Sequence, residues 1–241
     1  MRPRIAPQFA TEAELCAAFI AWAARWPEWT AYPESCGWDI LLAHADGTQV
    51  GIQAKLKLNL KVLAQAVASW HDWHDTGPDF RALLVPGGHG VGDLCDALGL
   101  GIFEPNRWRE QGAANFSPEL DRRGYAHWHY TNPTKRHVLP KYVPDVPCGV
   151  PGPLMLTPWK IAALEIVATI AVRGFVTRDD FKRAGIDHRR WTQLWLEPDL
   201  KSGAWRANAK MPNFAAQHPV VYPQVLADVR DKMKAAEGVT C

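Results

Sequence analysis

An acid, an amide and an amine lie close together in GWDILLAHADGTQVGIQAKLKLN, residues 37–59, a stretch otherwise apolar enough for burial. They are Asp39, Gln53 and Lys55. Carboxylate and amide oxygens, together with the main-chain carbonyl of Ala54, are hard ligands that suit Mg²⁺ or Mn²⁺ better than zinc. A lysine beside them can orient an attacking water, help to deprotonate it, and stabilise charge on a phosphate. These are the groups that phosphodiester hydrolysis needs.

Two predicted strands, WDILLA and QVGIQAKLKL, must position these residues, and the ADGT segment between them carries an Asp-Gly hairpin signal. Side chains alternate along a strand, so Gln53 and Lys55 share one face. A two-residue Asp-Gly loop would pair Asp39 with Ala54 and turn its carboxylate to the other face. A three-residue loop with a glycine bulge would place Asp39 across from Lys55. The candidate site requires this second register.

The surrounding elements alternate between helix and strand. A helix is predicted over residues 11–26, with a capping box formed by Thr11 and Glu14 at its start. Its apolar face consists of Leu15, Phe19, Trp22 and Trp26. After the hairpin come a helix in LKVLAQAVASWHDWH, a strand in FRALLVP and a helix in GVGDLCDAL. This order predicts an α/β sandwich.

The order helix, Asp39 on a strand, hairpin and Gln53-Ala54-Lys55 resembles the PD-(D/E)XK nuclease superfamily over about residues 10–105. It looks most like the branch of Holliday-junction resolvases, virus-type replication-repair nucleases and Mrr-like enzymes. The resemblance implies a restriction-endonuclease-like α/β/α core with a mixed sheet. It also implies an Mg²⁺ or Mn²⁺ cofactor held by Asp39, Gln53 and the Ala54 carbonyl.

Two positions depart from the family pattern. Trp38 stands where the family has proline, and Gln53 stands where it has a second acid. A glutamine still offers a carbonyl oxygen but removes one negative charge, so metal affinity falls unless another acid compensates. Glu12 is the favoured compensating acid, as a metal-site residue, because it lies on the helix face that packs toward the sheet. A solvated first-turn acid is the alternative for Glu12, and Glu34, just before the strand, is a weaker candidate.

Two further residues are candidates for substrate contact near this site. Related nucleases often carry a glutamine in the helix after the Lys strand, where this chain has Gln65. An exposed helix amide is the alternative for Gln65. Lys57 shares the face of Lys55 and could contact a phosphate of DNA, although a lysine near a strand end is commonly only solvated.

Proline and glycine divide the chain in two. The segment TNPTKRHVLPKYVPDVPCGVPGPLMLTP, residues 131–158, is too rich in both to continue a helix or a central strand, and residues 131–157 are predicted to be a surface linker. We therefore expect a nuclease-like domain over 1–130 and a mainly helical domain over 158–241. Helix signals in PWKIAALEIVATIAVRG, TRDDFKRAG and DHRRWTQLWLEP, followed by the strand-like GAWRANAK, predict a helix-turn-helix or winged-helix-like module.

Basic residues gather in this second half. Arg189 and Arg190 open the third helix, where a recognition helix would meet a phosphate or a base edge. The cluster comprises Arg178, Lys182, Arg183, Arg189, Arg190, Lys201, Arg206 and Lys210. Such a cluster predicts salt-dependent, largely sequence-independent DNA binding, with Lys182, Arg183, Arg189 and Arg190 as the leading contacts. A solvated helical face or a protein-binding face are the alternatives.

Composition bounds these hypotheses. Apolar residues make up 47% and charged residues 22% of the 241 residues, as in an ordinary globular protein. No apolar run approaches the roughly eighteen residues of a membrane span, and no signal peptide is recognisable, so a cytoplasmic protein without a membrane partner is expected. The net charge of +2 gives no global polyanion signal, and the five scattered cysteines make a zinc site or disulfide framework unfavourable.

The leading hypothesis is a metal-dependent deoxyribonuclease acting on duplex or branched DNA. The alternatives are a catalytically inactive nucleic-acid-binding protein with the same fold, and a protein-interaction or inhibitor protein. The resemblance also makes a homodimer one possible assembly, because many nucleases of this type use two sites to cut both strands.

Overall fold

The computed structural model describes the chain in eight ranges with gaps between them. These are residues 9–68, 76–87, 90, 92–106, 114–120, 128–149, 155–199 and 203–238. The chain divides into two compact units, Met1–Val150 and Pro151–Cys241. The first unit thus extends about twenty residues past the sequence-based boundary at 130.

The first unit is built on a six-stranded mixed sheet whose strands lie in chain order. The strands are β1 Trp29–Ser35, β2 Trp38–His44, β3 Gln49–Ala54, β4 Phe80–Leu84, β5 Gly101–Pro105 and β6 Phe116–Ser117. Strands β3, β4 and β5 are parallel neighbours, and the other three pairings are antiparallel. The sequence predicted β2, β3 and β4; it missed β1, β5 and β6.

Helices cover both faces of this sheet. They are α1 Glu12–Ala23, α2 Leu60–Ala66 and α3 Gly92–Ala97. Helix α1 packs its Leu15 and Phe19 into the apolar cluster that contains Ile52 and Ala54 of β3. Leu83 of β4 belongs instead to the cluster beneath α2 and α3. Because neighbouring residues of a strand face opposite sides, these two clusters define an α/β core with helices on each face.

The start of α1 is fixed by the two residues predicted to cap it. The Thr11 hydroxyl accepts the Glu14 N–H at 3.1 Å, and the Glu14 carboxylate accepts the Ala10 N–H at 2.8 Å. Glu14 thus reaches one residue further back than in a standard capping box. This capping leaves Glu12, on the same first turn, available for another partner.

The turn between β2 and β3 has the extra residue that the candidate site requires. His44 N–H donates to the Thr48 carbonyl at 2.8 Å, so the connection is the three residues 45–47. Gly47 supplies the left-handed conformation this turn needs, with φ 91°. The ladder ends at the pair of Ile40 with Ile52, and this register, extended by one residue, would set Asp39 across from Gln53. The prediction that Lys55 stands across from Asp39 is therefore wrong. The extra turn residue, Ala45, lies on the β2 side of Asp46-Gly47, so it moves the register from Ala54 toward Gln53 rather than toward Lys55.

The segment predicted to be a linker, residues 131–157, packs onto the first unit up to residue 149. Tyr142, Val146 and Cys148 are buried. The Arg136 guanidinium pairs with Asp79, whose side chain is almost fully buried, at 2.8 Å. Side-chain contacts of this kind hold the segment on the first unit, although the segment itself is irregular.

The second unit consists of five helices and one hairpin in its described ranges. They are α4 Pro158–Arg173, α5 Arg178–Ala184, α6 Arg189–Leu194, β7 Leu196–Asp199, β8 Ala204–Ala207, α7 Phe214–Gln217 and α8 Val221–Gly238. Helix α6 ends earlier than predicted because the chain turns at Trp195 into β7. Between α4 and α5, Val176 forms an isolated antiparallel bridge with Trp205 of β8.

Aromatic side chains form much of the core of this unit. Trp191 of α6 is 1% exposed. Its ring stacks on Phe214 at 5.5 Å between centroids and meets Phe181 edge-on at 5.6 Å. Trp191 is therefore a core residue of this unit. Among the helices within the described ranges, none combines the length and apolarity needed to cross a bilayer.

Candidate active site

Three charged residues from three elements meet where β3 ends. Lys55, directly after β3, places its Nζ 2.5 Å from the Glu12 Oε2 of α1. Asp39, the second residue of β2, accepts the Ala54 N–H on its Oδ2 at 2.7 Å. The predicted catalytic residues Glu12, Asp39 and Lys55 therefore lie around the same strand end.

Asp39 occupies this position because its side chain replaces a backbone acceptor. The paired residues of β2 and β3 end at Ile40 and Ile52, and beyond that point the Asp39 carboxylate takes the Ala54 N–H. Strand β3 continues to bond β4, since Lys55 N–H donates to the Leu84 carbonyl at 2.9 Å. The carboxylate thus lies at the point where β2 no longer pairs with β3 while β4 still does. We call this point the fork.

The electrostatics of the fork assign Lys55 a cationic role. Burial alone would lower the pKa of Lys55, but its hydrogen bond to Glu12 and the fields of Asp39 and Glu12 raise that pKa above the ordinary value. A lysine with a raised pKa is protonated at neutral pH and cannot accept a proton from water. Among the roles predicted for Lys55, charge stabilisation therefore fits this environment better than proton abstraction.

The pKa of the Asp39 carboxyl is raised, whereas an ion pair lowers the pKa of a surface acid. Burial raises the pKa of its carboxyl, and the charge of Glu12 adds to that effect. The Ala54 N–H and the Lys55 ammonium act in the other direction but do not cancel it. The fold therefore disfavours the ionised form of Asp39, and a cation bound nearby would stabilise that form.

Gln53 is 8% exposed and its amide group has a structural partner. Nε2 donates to the Gly37 carbonyl at 2.9 Å, which ties β3 to the turn between β1 and β2. Among the described residues, Oε1 of Gln53 accepts no hydrogen bond. The amide oxygen is thus the atom with spare acceptor capacity, and its role as a metal ligand stays a prediction.

Glu34 is closer to the site than its sequence position suggested. It lies on β1 between Pro33 and Ser35, whose partners on β2 are Ile40 and Trp38, so it stands across from Asp39. Burial and the neighbouring Asp39 charge raise the pKa of Glu34, although its bond from the Gly149 N–H and the Lys55 charge oppose this. Its φ of 48° is unusual for a residue other than glycine.

A sequence signal for Glu34 existed in the pair Cys36-Gly37. Both residues have positive φ, 56° and 83°, as in a two-residue type I′ hairpin loop. Recognising that loop would have predicted β1 and paired Glu34 with Asp39. The signal is weak because cysteine is an uncommon first residue of such a turn.

The segment once expected to be a linker also contacts the site. Cys148 donates its Sγ hydrogen to the Asp39 carbonyl at 3.2 Å, and the next residue, Gly149, donates its N–H to Glu34. The pKa of the Cys16 thiol on α1 is raised by its hydrogen bond with Cys148 and by burial. Residues 148–149 therefore brace the backbone of one acid and the side chain of the other.

The remaining predicted contacts lie on the surface. Lys57 and Gln65 are exposed, and neither bonds to Glu12, Asp39 or Lys55 among the hydrogen bonds and ion pairs of the described residues. Their roles as DNA contacts stay predictions.

The basic residues of the second unit are partly committed to local partners. Arg183 pairs with Asp180, and Arg190 lies 5.4 Å from the centre of the Trp195 ring. Arg189 is 79% exposed, with Asp187 at 3.9 Å, and Lys182 is also exposed. Lys201 of the predicted cluster lies outside the described residues. The exposed cations remain available to an anionic surface.

Comparison with models of known protein families, with curated proteins and with solved structures gives no significant match. Within the described ranges, no group of three or more His, Cys, Asp or Glu side chains is already arranged to hold a metal ion.

Proposed function

We propose that this chain is a metal-dependent nuclease of the PD-(D/E)XK type that hydrolyses DNA phosphodiester bonds. The observation that carries this proposal is the convergence of Asp39, Lys55 and Glu12 at the end of β3, where Asp39 binds the Ala54 N–H at 2.7 Å and Lys55 pairs with Glu12 at 2.5 Å. The mixed sheet with helices on both faces is compatible with the restriction-endonuclease-like core that this class uses.

The donor set suits a hard divalent cation. Two carboxylates, Asp39 and Glu34, are partly buried, and burial raises both pKa values; the charge of Glu12 adds to this for Asp39, and the charge of Asp39 adds to it for Glu34. A dication would relieve the repulsion between these charges, and the oxygen donors favour Mg²⁺ or Mn²⁺ over zinc. Asp39, the amide oxygen of Gln53 and the Ala54 carbonyl would hold the ion. When bound, such an ion lowers the pKa of a water and offsets phosphate charge.

Glu34 supplies, in this proposal, the negative charge that Gln53 lacks. Glu12 was the acid favoured from the sequence, but its carboxylate is engaged by Lys55. Glu34 stands across from Asp39 and feels its charge. Glu12 then fixes the Lys55 ammonium, which stabilises the charge that develops on the phosphate during hydrolysis.

The second unit holds the DNA in this proposal. Its order of helix α4, bridging residue Val176, helices α5 and α6, and hairpin β7–β8 is compatible with a winged helix. Exposed cations on α5 and α6 are suited to phosphate contacts. The hairpin β7–β8 and the bridge from Val176 to Trp205 distinguish this order from a plain helical bundle.

The test is cleavage of supercoiled, linear and branched DNA with Mg²⁺, Mn²⁺ or EDTA. Asp39→Asn keeps an acceptor for the Ala54 N–H, so the fold should survive while the cleavage rate falls by about 10²-fold or more. The cleavage rate of the Lys55→Ala variant should fall to a similar extent. The matched controls are Asp93→Asn and Lys61→Ala, which change exposed residues of α3 and α2. Wild-type rates in both site variants, or cleavage in EDTA, would reject the assignment.

A non-catalytic nucleic-acid-binding protein is the second candidate. Gln53 in place of an acid, with its amide committed to the Gly37 carbonyl, favours it. It predicts salt-dependent DNA binding with no metal-dependent turnover of any substrate. The same assay, read for mobility shifts as well as products, separates the two functions.

A further inference from the structure

A groove of about 800 Å³ runs along the second unit between helices α4 and α8, with α5 at one end. All of its lining residues come from these three helices. Its lining contains no residue of α6 and shares Arg183 of α5 with the predicted DNA contacts.

The floor of the groove is formed by apolar residues of α4 and α8. Val221, Val225 and Val229 of α8 repeat every four residues and are buried. Met233 continues this stripe into the groove, where it is only partly covered. Val172 of α4 lies there too, 36% exposed. An apolar strip of this kind costs free energy unless another surface covers it.

The rim of the groove is cationic. Five of its lining residues are basic: Arg173, Arg183, Arg230, Lys232 and Lys234. The two acids are already paired, Asp180 with Arg173 and Arg183, and Glu165 with Lys232 at 3.5 Å. Arg230 and Lys234 have no ion pair among the described residues. The unpaired charge of the groove is therefore positive.

We propose that this groove binds an acidic amphipathic helix of a partner protein. The apolar face of such a helix would cover Met233 and Val172, and its flanking Glu or Asp residues would reach Arg230 and Lys234. A helix about 10 Å wide, half embedded, displaces roughly 40 Å³ per Å of its length, so 800 Å³ accommodates about 20 Å, or three to four turns. A DNA backbone carries the right charge but has no apolar face to cover this floor.

The test uses the full chain and two fluorescein-labelled synthetic peptides of about 16 residues. Both have leucine at i, i+3, i+4 and i+7; one has glutamate on the flanks and the other lysine. By fluorescence anisotropy the acidic peptide should bind with a Kd of about 10 μM, and the basic peptide at least about tenfold more weakly. Arg230→Glu with Lys234→Glu should weaken the acidic peptide by about tenfold or more.

The matched control is the double charge reversal Lys61→Glu with Lys135→Glu, which changes exposed lysines of the first unit and should leave acidic-peptide binding within about twofold of wild type. A DNA duplex should not displace the acidic peptide. Equal binding of both peptides, absence of binding, displacement by DNA, or self-association that the Arg230→Glu, Lys234→Glu pair abolishes would each overturn the proposal. If that pair does not fold, the comparison of peptides on the wild-type chain still decides.

Discussion

Replacing Gln53 by glutamate restores the acid expected at this position, and the structure predicts that this restoration destabilises the metal-free fold. Gln53 is buried and its Nε2 donates to the Gly37 carbonyl at 2.9 Å. In Gln53→Glu, an ionised carboxylate would face that carbonyl with no hydrogen to offer. A hydrogen bond is lost, one acceptor is left without its donor, and a new charge is buried near Asp39.

The expected cost is about 1–3 kcal/mol, the usual range for a buried polar group deprived of its partner. At about 2–4 °C per kcal/mol for a chain of this size, the melting temperature should fall by roughly 2–12 °C at pH 7 in EDTA. The protonated carboxyl could donate to Gly37, so its pKa is raised in the fold. The loss in free energy of unfolding is therefore present at neutral pH, and it becomes smaller as the pH falls through that raised pKa.

The assay is thermal and urea unfolding at pH 7 and pH 5, followed by tryptophan fluorescence. Gln65→Glu is the control because Gln65 is exposed on α2, and its effect should stay within about 0.5 kcal/mol. A Gln53→Glu variant as stable as wild type at pH 7 in EDTA would refute the structural role of the amide. Recovery of the lost stability by Mg²⁺ would support the position as part of the metal site.

Three further expectations concern other residues of the two units. Because burial raises the folded pKa values of Asp39 and Glu34, their neutral forms are favoured in the fold; the stability they contribute at low pH is lost as the pH rises through those values. Asp39→Asn combined with Glu34→Gln should therefore flatten the dependence of urea unfolding on pH from about pH 4 upward, where unfolded carboxyl groups begin to ionise, and an unchanged slope would contradict this. Trp191→Ala empties a buried site in the second unit and should cost about 3–5 kcal/mol, whereas a loss below about 1 kcal/mol would mean that the aromatic core collapses around it. Arg189→Ala and Arg190→Ala should each lower the slope of log K for DNA binding against log salt by about 1 if the side chain contacts a phosphate, and an unchanged slope would remove that residue from the interface.

The sequence was sufficient to predict those elements that depend on interactions between residues close together in the chain. The hairpin around Asp46-Gly47 and the first helix of the second unit, between Pro158 and Gly174, follow from turn and cap chemistry within a few residues. The strands it missed have weak local signals. Strand β1 contains Pro33 and lies at the edge of the sheet, and β6 has only two residues.

The candidate site, too, could be predicted only in part from the sequence. The residue types and spacing of Asp39, Gln53 and Lys55 were sufficient to predict a polar cluster on adjacent strands, and the chemistry it suits. Tertiary structure decided the rest, because one residue in the turn sets which side chains face each other, and Gly47 with φ 91° supplies it. It also decided that Cys148, 109 residues along the chain, braces the backbone of Asp39. Contacts between residues so far apart leave no periodic signal, since only the packed chain brings them together.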